Sequence, residues 1–306
     1  MKPFILIYDL LINGKNHHVL DFDISYCVLN IKIIENCIYY NDENINEKFM
    51  DSVVFFSANE DGLGYIKQID LNMKQLTQKL VDIRDLIVNK CYKIYNDPYF
   101  FNIVGNKELT YQCLMNFVPC PKFGNINKYP CIVAKNNASG GRQRYLCNTK
   151  NDVNSAISKI QTNYCITEYI NSFNESLNCF CNLRLLVLNN ILLEWYYRPS
   201  NDWNIHTKTQ IINKIIPADN FFADWKLHNQ HILDSFLQNI FDVLGSGMFA
   251  IDCILHIESN SIFLCEVGYK CMDENFFKGY NELQNFKKPS HDFNNYKQTL
   301  ISHILI

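Results

Sequence analysis

Short apolar runs, each closed by a polar turn, recur along the 306-residue chain and commit it to a fold built largely from strands. They place strands at residues 4–10, 28–34 and 53–56, then at 130–135, 144–147 and 164–169, and finally at 183–188, 191–197, 250–255 and 262–267. Helical spacing replaces them at 73–91, where Leu76, Leu80, Val81, Ile83, Ile87 and Val88 recur along one side, and again at 107–116, 152–160 and about 231–244. Pro119 and Pro121 end the second helical stretch, because proline removes an amide donor and clashes with the preceding turn. Strands in meander order with helices beside them predict an α+β fold, preceded by a small α/β unit. The turn signal Asn96-Asp97-Pro98 sets the first boundary. The expected division is an N-terminal α/β domain over 1–97, a small subdomain with a glycine-rich loop over 98–165, and a C-terminal subdomain over 166–306.

Composition narrows the function classes. With 48% hydrophobic residues the chain can bury enough apolar surface to offset the entropy of ordering, which excludes wholesale disorder. A net charge of -3 with no Lys/Arg block predicts no nucleic-acid partner, leaving only a local basic pair at Arg142 and Arg144. No apolar run approaches the ~20 residues of a membrane span, so no membrane association is expected. The 13 cysteines are scattered, odd in number and without zinc or redox spacing, Cys179-Phe180-Cys181 included. A reduced, cytoplasmic setting is therefore expected, with the thiols acting as small buried hydrophobes.

Five stretches carry chemistry. Lys107 follows Asn106 at a helix start, where an ammonium adds to N–H groups that favour anions; alone it reads as a surface lysine. The apolar run Pro130-Cys131-Ile132-Val133-Ala134 ends in Lys135 and leads into Asn136-Asn137-Ala138-Ser139-Gly140-Gly141. Small residues there let backbone amides approach phosphate, although Ser-Gly-Gly by itself is a common turn. Tyr164-Cys165-Ile166-Thr167-Glu168-Tyr169-Ile170 is a strand running into a connection, with Glu175 beyond it. Asn182-Leu183-Arg184 and Arg198 put arginine forks on strands, suited to phosphate or carboxylate or to ordinary ion pairs, and Asn204-Ile205-His206 follows. Finally, Asp252 and Glu266 sit within apolar strands, where an unpaired charge is costly. Alternation sets Glu266 opposite its immediate neighbours and allows both carboxylates one face, as hard oxygen donors.

In this order, over about residues 94–275, these stretches resemble the ATP-grasp superfamily, in particular relatives of glutathione synthetase and the RimK-type carboxylate–amine ligases. The resemblance implies two α+β subdomains sandwiching ATP, behind an N-terminal domain of the kind that precedes them. It implies that Lys107 and Lys135 reach phosphate oxygens and that Ser139, Gly140 and Gly141 cover the triphosphate. Glu168, Tyr169 and Ile170 would form the adenine hinge, and Glu175 would bind ribose. Arg184 and Arg198 would clamp transferring phosphate, Asn204 would close the acceptor side, and Asp252 and Glu266 would bind Mg²⁺. The chain departs from the family at Thr167, where glutamine is common, at Asn182, in place of an acid, and at Thr207-Lys208, in place of glycines. It also carries Gly268 where the family has a metal-binding asparagine. The implied activity joins a small-molecule or peptide carboxylate to an amine through an acyl phosphate, giving an amide or peptide bond. An ATP-grasp kinase acting on a hydroxyl, a catalytically silent nucleotide-binding protein and a purely structural α+β protein are the alternatives. Acid, amine and oligomeric state stay open.

Overall fold

The computed structural model describes residues 2–8, 23–57, 73–104, 106–136, 143–205, 209–269 and 302–304. Its first part comprises β1 (Phe4–Tyr8), β2 (Ile24–Cys27), β3 (Ile31–Ile34), β4 (Cys37–Tyr40), β5 (Glu43–Asn44), β6 (Val53–Ser57), α1 (Met73–Ile87) and β7 (Lys93–Tyr95). A parallel sheet of order β2-β1-β6-β7 forms its centre. β1 is apolar throughout because both faces are covered. Ile5, Ile7, Val54 and Phe56 pack against Leu76, Leu80, Ile83 and Ile87 of α1. Phe4, Leu6, Tyr8, Val53 and Phe55 face the other way, towards the C-terminal sheet.

The expected strand 28–34 is broken: Val28–Asn30 form a 3-10 turn before β3. The turn lets β3 leave the parallel sheet and pair with β4 and β5 in a sheet of its own. Two-residue turns at Glu35-Asn36 and Asn41-Asp42, all four at positive φ, set those pairings. α1 ends at Ile87 rather than at residue 91, its last turn tightened by the Lys90 N–H to Ile87 carbonyl bond. Residues 9 and 10 of the first expected strand lie outside the described residues.

Asn96 joins this part to the rest. It takes a left-handed φ of 58°, its N–H donates to the Ser246 carbonyl, and its Oδ1 accepts the Met248 N–H at 2.7 Å. Next come α2 (Lys107–Leu114), β8 (Cys131–Lys135), β9 (Arg144–Cys147), α3 (Lys150–Ile160) and β10 (Tyr164–Glu168). A small antiparallel sheet of order β10-β8-β9 results. Thr149 and Asp152 cap α3 reciprocally and start it ahead of residue 152, where periodicity alone places it. Cys131, Val133 and Cys147 pack against Ala156 and Ile160 of α3, so alternate residues of β8 and β9 turn the other way. β10 runs unbroken from Tyr164 to Glu168, across the expected division at 165/166.

The last part holds β11 (Phe173–Asn174), β12 (Cys179–Leu188), β13 (Ile191–Ser200), α4 (Ile215–Leu244), β14 (Met248–His256) and β15 (Ser261–Tyr269). β12 pairs β13 on one edge and β14 on the other, and β15 pairs β14, all antiparallel, in keeping with the meander pattern. α4 covers one face, burying Phe222, Leu233, Leu237 and Leu244 against Leu183, Leu185, Val187 and Ile251. This helix begins well before residue 231. It kinks at Asn229 (φ -126°, ψ 26°), whose side chain donates to the Trp225 carbonyl, and the apolar spacing in the sequence follows mainly the segment beyond the kink. Pro217 lies in the first turn, where proline is tolerated. The opposite face of the sheet meets the N-terminal sheet through Leu186, Leu188, Tyr196, Met248 and Ala250. At Gly247 a Cβ would lie 2.7 Å from the rings of both Phe249 and Tyr269, so only glycine admits this stacked pair unshifted. No described helix is long and apolar enough to cross a membrane.

Candidate active site

The half of the large sheet's face that the N-terminal sheet leaves uncovered is charged. Antiparallel register places Arg184 of β12 opposite Asp252 of β14, Asp252 opposite Glu266 of β15, and Asn182 opposite Arg198 of β13. Side chains directly opposite share a face, so these five lie together. Arg184 donates from Nε and Nη2 to the two oxygens of Asp252, each at 2.7 Å. Arg198 donates to Asp252 Oδ1 at 3.1 Å and to Asn182 Oδ1 at 2.9 Å, with only 6% of its side chain exposed. It is therefore no surface ion pair but a buried brace, and Asn182, standing where the family has an acid, serves as its neutral acceptor.

Glu266 reaches this face by a route that strict alternation does not give. The register slips between Asp252, which pairs Glu266, and Cys253, which pairs Leu264, so Cys265 is an extra residue on β15. Leu264 and Val267 both enter the core against α4, while Glu266 stays on the charged face. Tyr111 of α2 donates its hydroxyl to the Cys265 carbonyl at 2.7 Å, giving the bulged residue a partner outside the ladder.

Lys107 approaches from the start of α2, its ammonium 3.2 Å from Glu266. The oriented amides expected to add to its charge are already engaged. The Lys107 and Glu108 N–H groups donate to the carbonyl and Oδ1 of Asn136, and the Leu109 N–H donates to Asn106. Lys107 thus contributes an ammonium, not a helix end. Asn136, buried and also bonded to Asn163, ties α2 to the end of β8; nothing in the sequence pattern sets it apart from the rest of its loop.

The small sheet holds the other expected residues differently. Lys135 shares the side of β8 that carries Cys131 and Val133, the side packed on α3. Its backbone N–H donates to the Gln143 carbonyl. The expected phosphate lysine is therefore turned from the charged floor. Glu168 is engaged by the neighbouring segment: its N–H donates to the Lys122 carbonyl and its carboxylate accepts the Lys122 N–H, both at 2.8 Å. That leaves Tyr169 and Ile170 as the connection between sheets, with the Tyr169 ring edge-on to Trp203 at 6.4 Å. Glu175 lies in the exposed β11–β12 turn, outside the charged cluster. Asn204 lies beside Trp203 in a loop that leaves β13 and returns through the Ser200–Gln210 bridge. Ser139, Gly140 and Gly141 lie outside the described residues, as does His206.

Thiols and a phenol line the underside of the charged face. Burial pushes Cys265 up to about 12, opposed by the charge of Arg144, and burial carries Cys120 to about 12 as well. Burial also holds the Tyr111 phenol well above its usual range. None of the described cysteines forms a disulfide. These groups are neutral at pH 7 and leave Asp252 and Glu266 as the acids of the site.

Asp252 and Glu266 fit Mg²⁺: they are hard oxygen donors in register on one face. Gly268, on the same face and opposite Ala250, adds no side-chain oxygen, and Mg²⁺ commonly takes one or two carboxylates with phosphate and water completing its shell. Among the described residues no group of three or more His, Cys, Asp or Glu side chains could hold a metal by itself.

No family model and no curated protein matches the sequence. Solved structures do match. The ATP-grasp ligase PsnB complexed with precursor peptide PsnA2 and AMPPNP superposes with a TM-score of 0.60 at 11% identity, covering 99% of this chain and 98% of that one. PsnB with minimal precursor, Mg and ADP gives the same score, identity and coverage. A RimK domain ATP-grasp protein from Sphaerobacter thermophilus gives 0.50 at 8% identity, over 96% of this chain and 99% of that one.

Proposed function

This chain has the ATP-grasp fold, and from that premise we propose that it is an ATP-dependent carboxylate–amine ligase. The carrying observation is the floor of the cleft, where Asp252 and Glu266 stand among Lys107, Arg184 and Arg198. Among the described residues three cations stand against two carboxylates, an arrangement suited to a polyanion that brings its own metal. In this reading the γ-phosphate of ATP passes to a substrate carboxylate, releasing ADP. An amine then attacks the acyl phosphate, and inorganic phosphate leaves. Bound Mg²⁺ would offset phosphate charge at Asp252 and Glu266. The chain's own side chains supply position and charge rather than a covalent nucleophile. Arg184 can exchange one of its two bonds to Asp252 for a phosphate oxygen, while Arg198, deeper and also bonded to Asn182, holds the Asp252 carboxylate in place. Either a small metabolite or a peptide can supply the acid; PsnB, whose structure holds a precursor peptide, supports the peptide.

The test is release of ADP and phosphate from ATP with paired panels of acids, peptides and amines, followed by mass analysis. The ligase reading expects phosphate release that requires the acid, an amide product, and a hydroxamate when hydroxylamine replaces the amine. A stable phosphate ester with ADP would establish the kinase alternative, and nucleotide binding without turnover on any panel would establish the silent one.

A further inference from the structure

Lys135 being turned towards α3, the small sheet must offer another cation to the nucleotide if it offers one at all, and its register singles out Arg144. In β9, Arg144 stands opposite Ala134, and Ala134 stands opposite Cys165 of β10. These three belong to the side of the sheet away from α3, whose own cluster takes Cys131, Val133 and Cys147. That side meets Trp203 of the loop after β13 through Arg144. The charge of Arg144 opposes the burial-driven rise of the Cys265 thiol, the Tyr111 phenol and the Tyr169 phenol, so its field acts on residues beside the charged floor and at the hinge. It rests over the Trp203 ring, 5.5 Å from its centroid, and Trp203 in turn meets the edge of Tyr169. Arg84, Arg184 and Arg198 each pair with a carboxylate; among the described residues none pairs with Arg144. A half-buried guanidinium with five donors, held over an aromatic ring and without a described carboxylate, is prepared for an incoming anion.

We propose that Arg144, held ready by Trp203, is the residue through which the small subdomain binds the phosphates of the nucleoside triphosphate, in place of Lys135. This rests on the ATP-dependent reading above. Trp203 belongs to the loop after β13 and Arg144 to β9, so the contact links the two subdomains beside the hinge. The fork can offer its donors to phosphate oxygens while the guanidinium keeps its cation–π contact with Trp203.

The experiment measures the affinity of the full chain for MgATP and for adenosine, by calorimetry, in wild type, Arg144→Ala, Arg144→Lys and Lys135→Ala, with thermal melting of each. Losing a charge-assisted phosphate contact should weaken ATP binding roughly 10- to 100-fold in Arg144→Ala. Adenosine affinity should be unchanged, Arg144→Lys should recover part of the loss, and Lys135→Ala should stay within about threefold of wild type. Wild-type ATP affinity in Arg144→Ala, a larger loss in Lys135→Ala, or parallel losses of ATP and adenosine would each overturn the assignment. Wild-type protein that binds neither ligand would remove the ATP reading itself, and the proposal with it.

Discussion

Along one side of β12, Asn182 and Arg184 are followed by Leu186 and Leu188, and the change of character falls within a single two-residue step. The first pair lies in the charged floor with Asp252 and Arg198. The second packs under Phe4, Leu6, Tyr8, Val53 and Phe55 of the N-terminal sheet. Both halves belong to the same face of the same sheet, so strand geometry does not distinguish them; what covers them does. Where the N-terminal sheet supplies apolar side chains, the strand is apolar. Where that cover stops, the strand carries charges that pair with one another. The N-terminal sheet thus sets the edge of the charged half as well as adding to the core.

Of the two halves, the charged one is most sensitive at Glu266. Glu266→Gln keeps size and removes charge, so turnover should fall on the order of 10²–10³-fold while the melting temperature stays close to wild type. Steady-state kinetics with melting curves check this, and full activity would refute the division into a chemical and a structural half. Leu186→Ala attacks the other half. It should lower stability by about 2–5 kcal/mol through a cavity between the sheets, as read by denaturant unfolding, with ATP affinity of the folded fraction unchanged. The smallest effect concerns the thiols beneath the charged half. Cys120 and Cys265 are held at about 12 against 9.0 for a free thiol, with burial the main cause, so the folded state keeps protons that the unfolded chain releases. Their contribution is complete below pH 9 and is lost as pH rises from about 9 to about 12, which predicts a decline in melting temperature across that window. Cys265→Ala should make the decline shallower, and iodoacetamide at about pH 8 should leave both thiols of the folded protein unmodified.

Much of this is readable from the residues. β12 to β15 announce themselves as apolar runs with turns between, and Asp252 and Glu266 are conspicuous because carboxylates are costly in such runs. The orientation of Lys135 is not readable. Cys131-Ile132-Val133-Ala134 is apolar on both sides, so no alternation marks which side meets α3, and a lysine at the end of such a run carries no sign of its face. Arg144 is visible only as a basic residue, since its interest comes from Trp203, far along the chain. The hairpins of β3 to β5 escape sequence reading because their turns, Glu35-Asn36 and Asn41-Asp42, lack the glycine that usually signals them.

The extra residue at Cys265 makes the placement of the core and of the site depend on one another. Removing it would restore the two-residue rhythm of β15 and force a choice: either Glu266 leaves the floor or Leu264 leaves the core. Neither outcome is reachable gradually, because a deletion turns every side chain beyond it at once. The carbonyl of residue 265, rather than its side chain, meets Tyr111, so the bond to α2 depends on the presence of this residue and not on its type. At this one position the number of residues constrains the structure before their chemistry does.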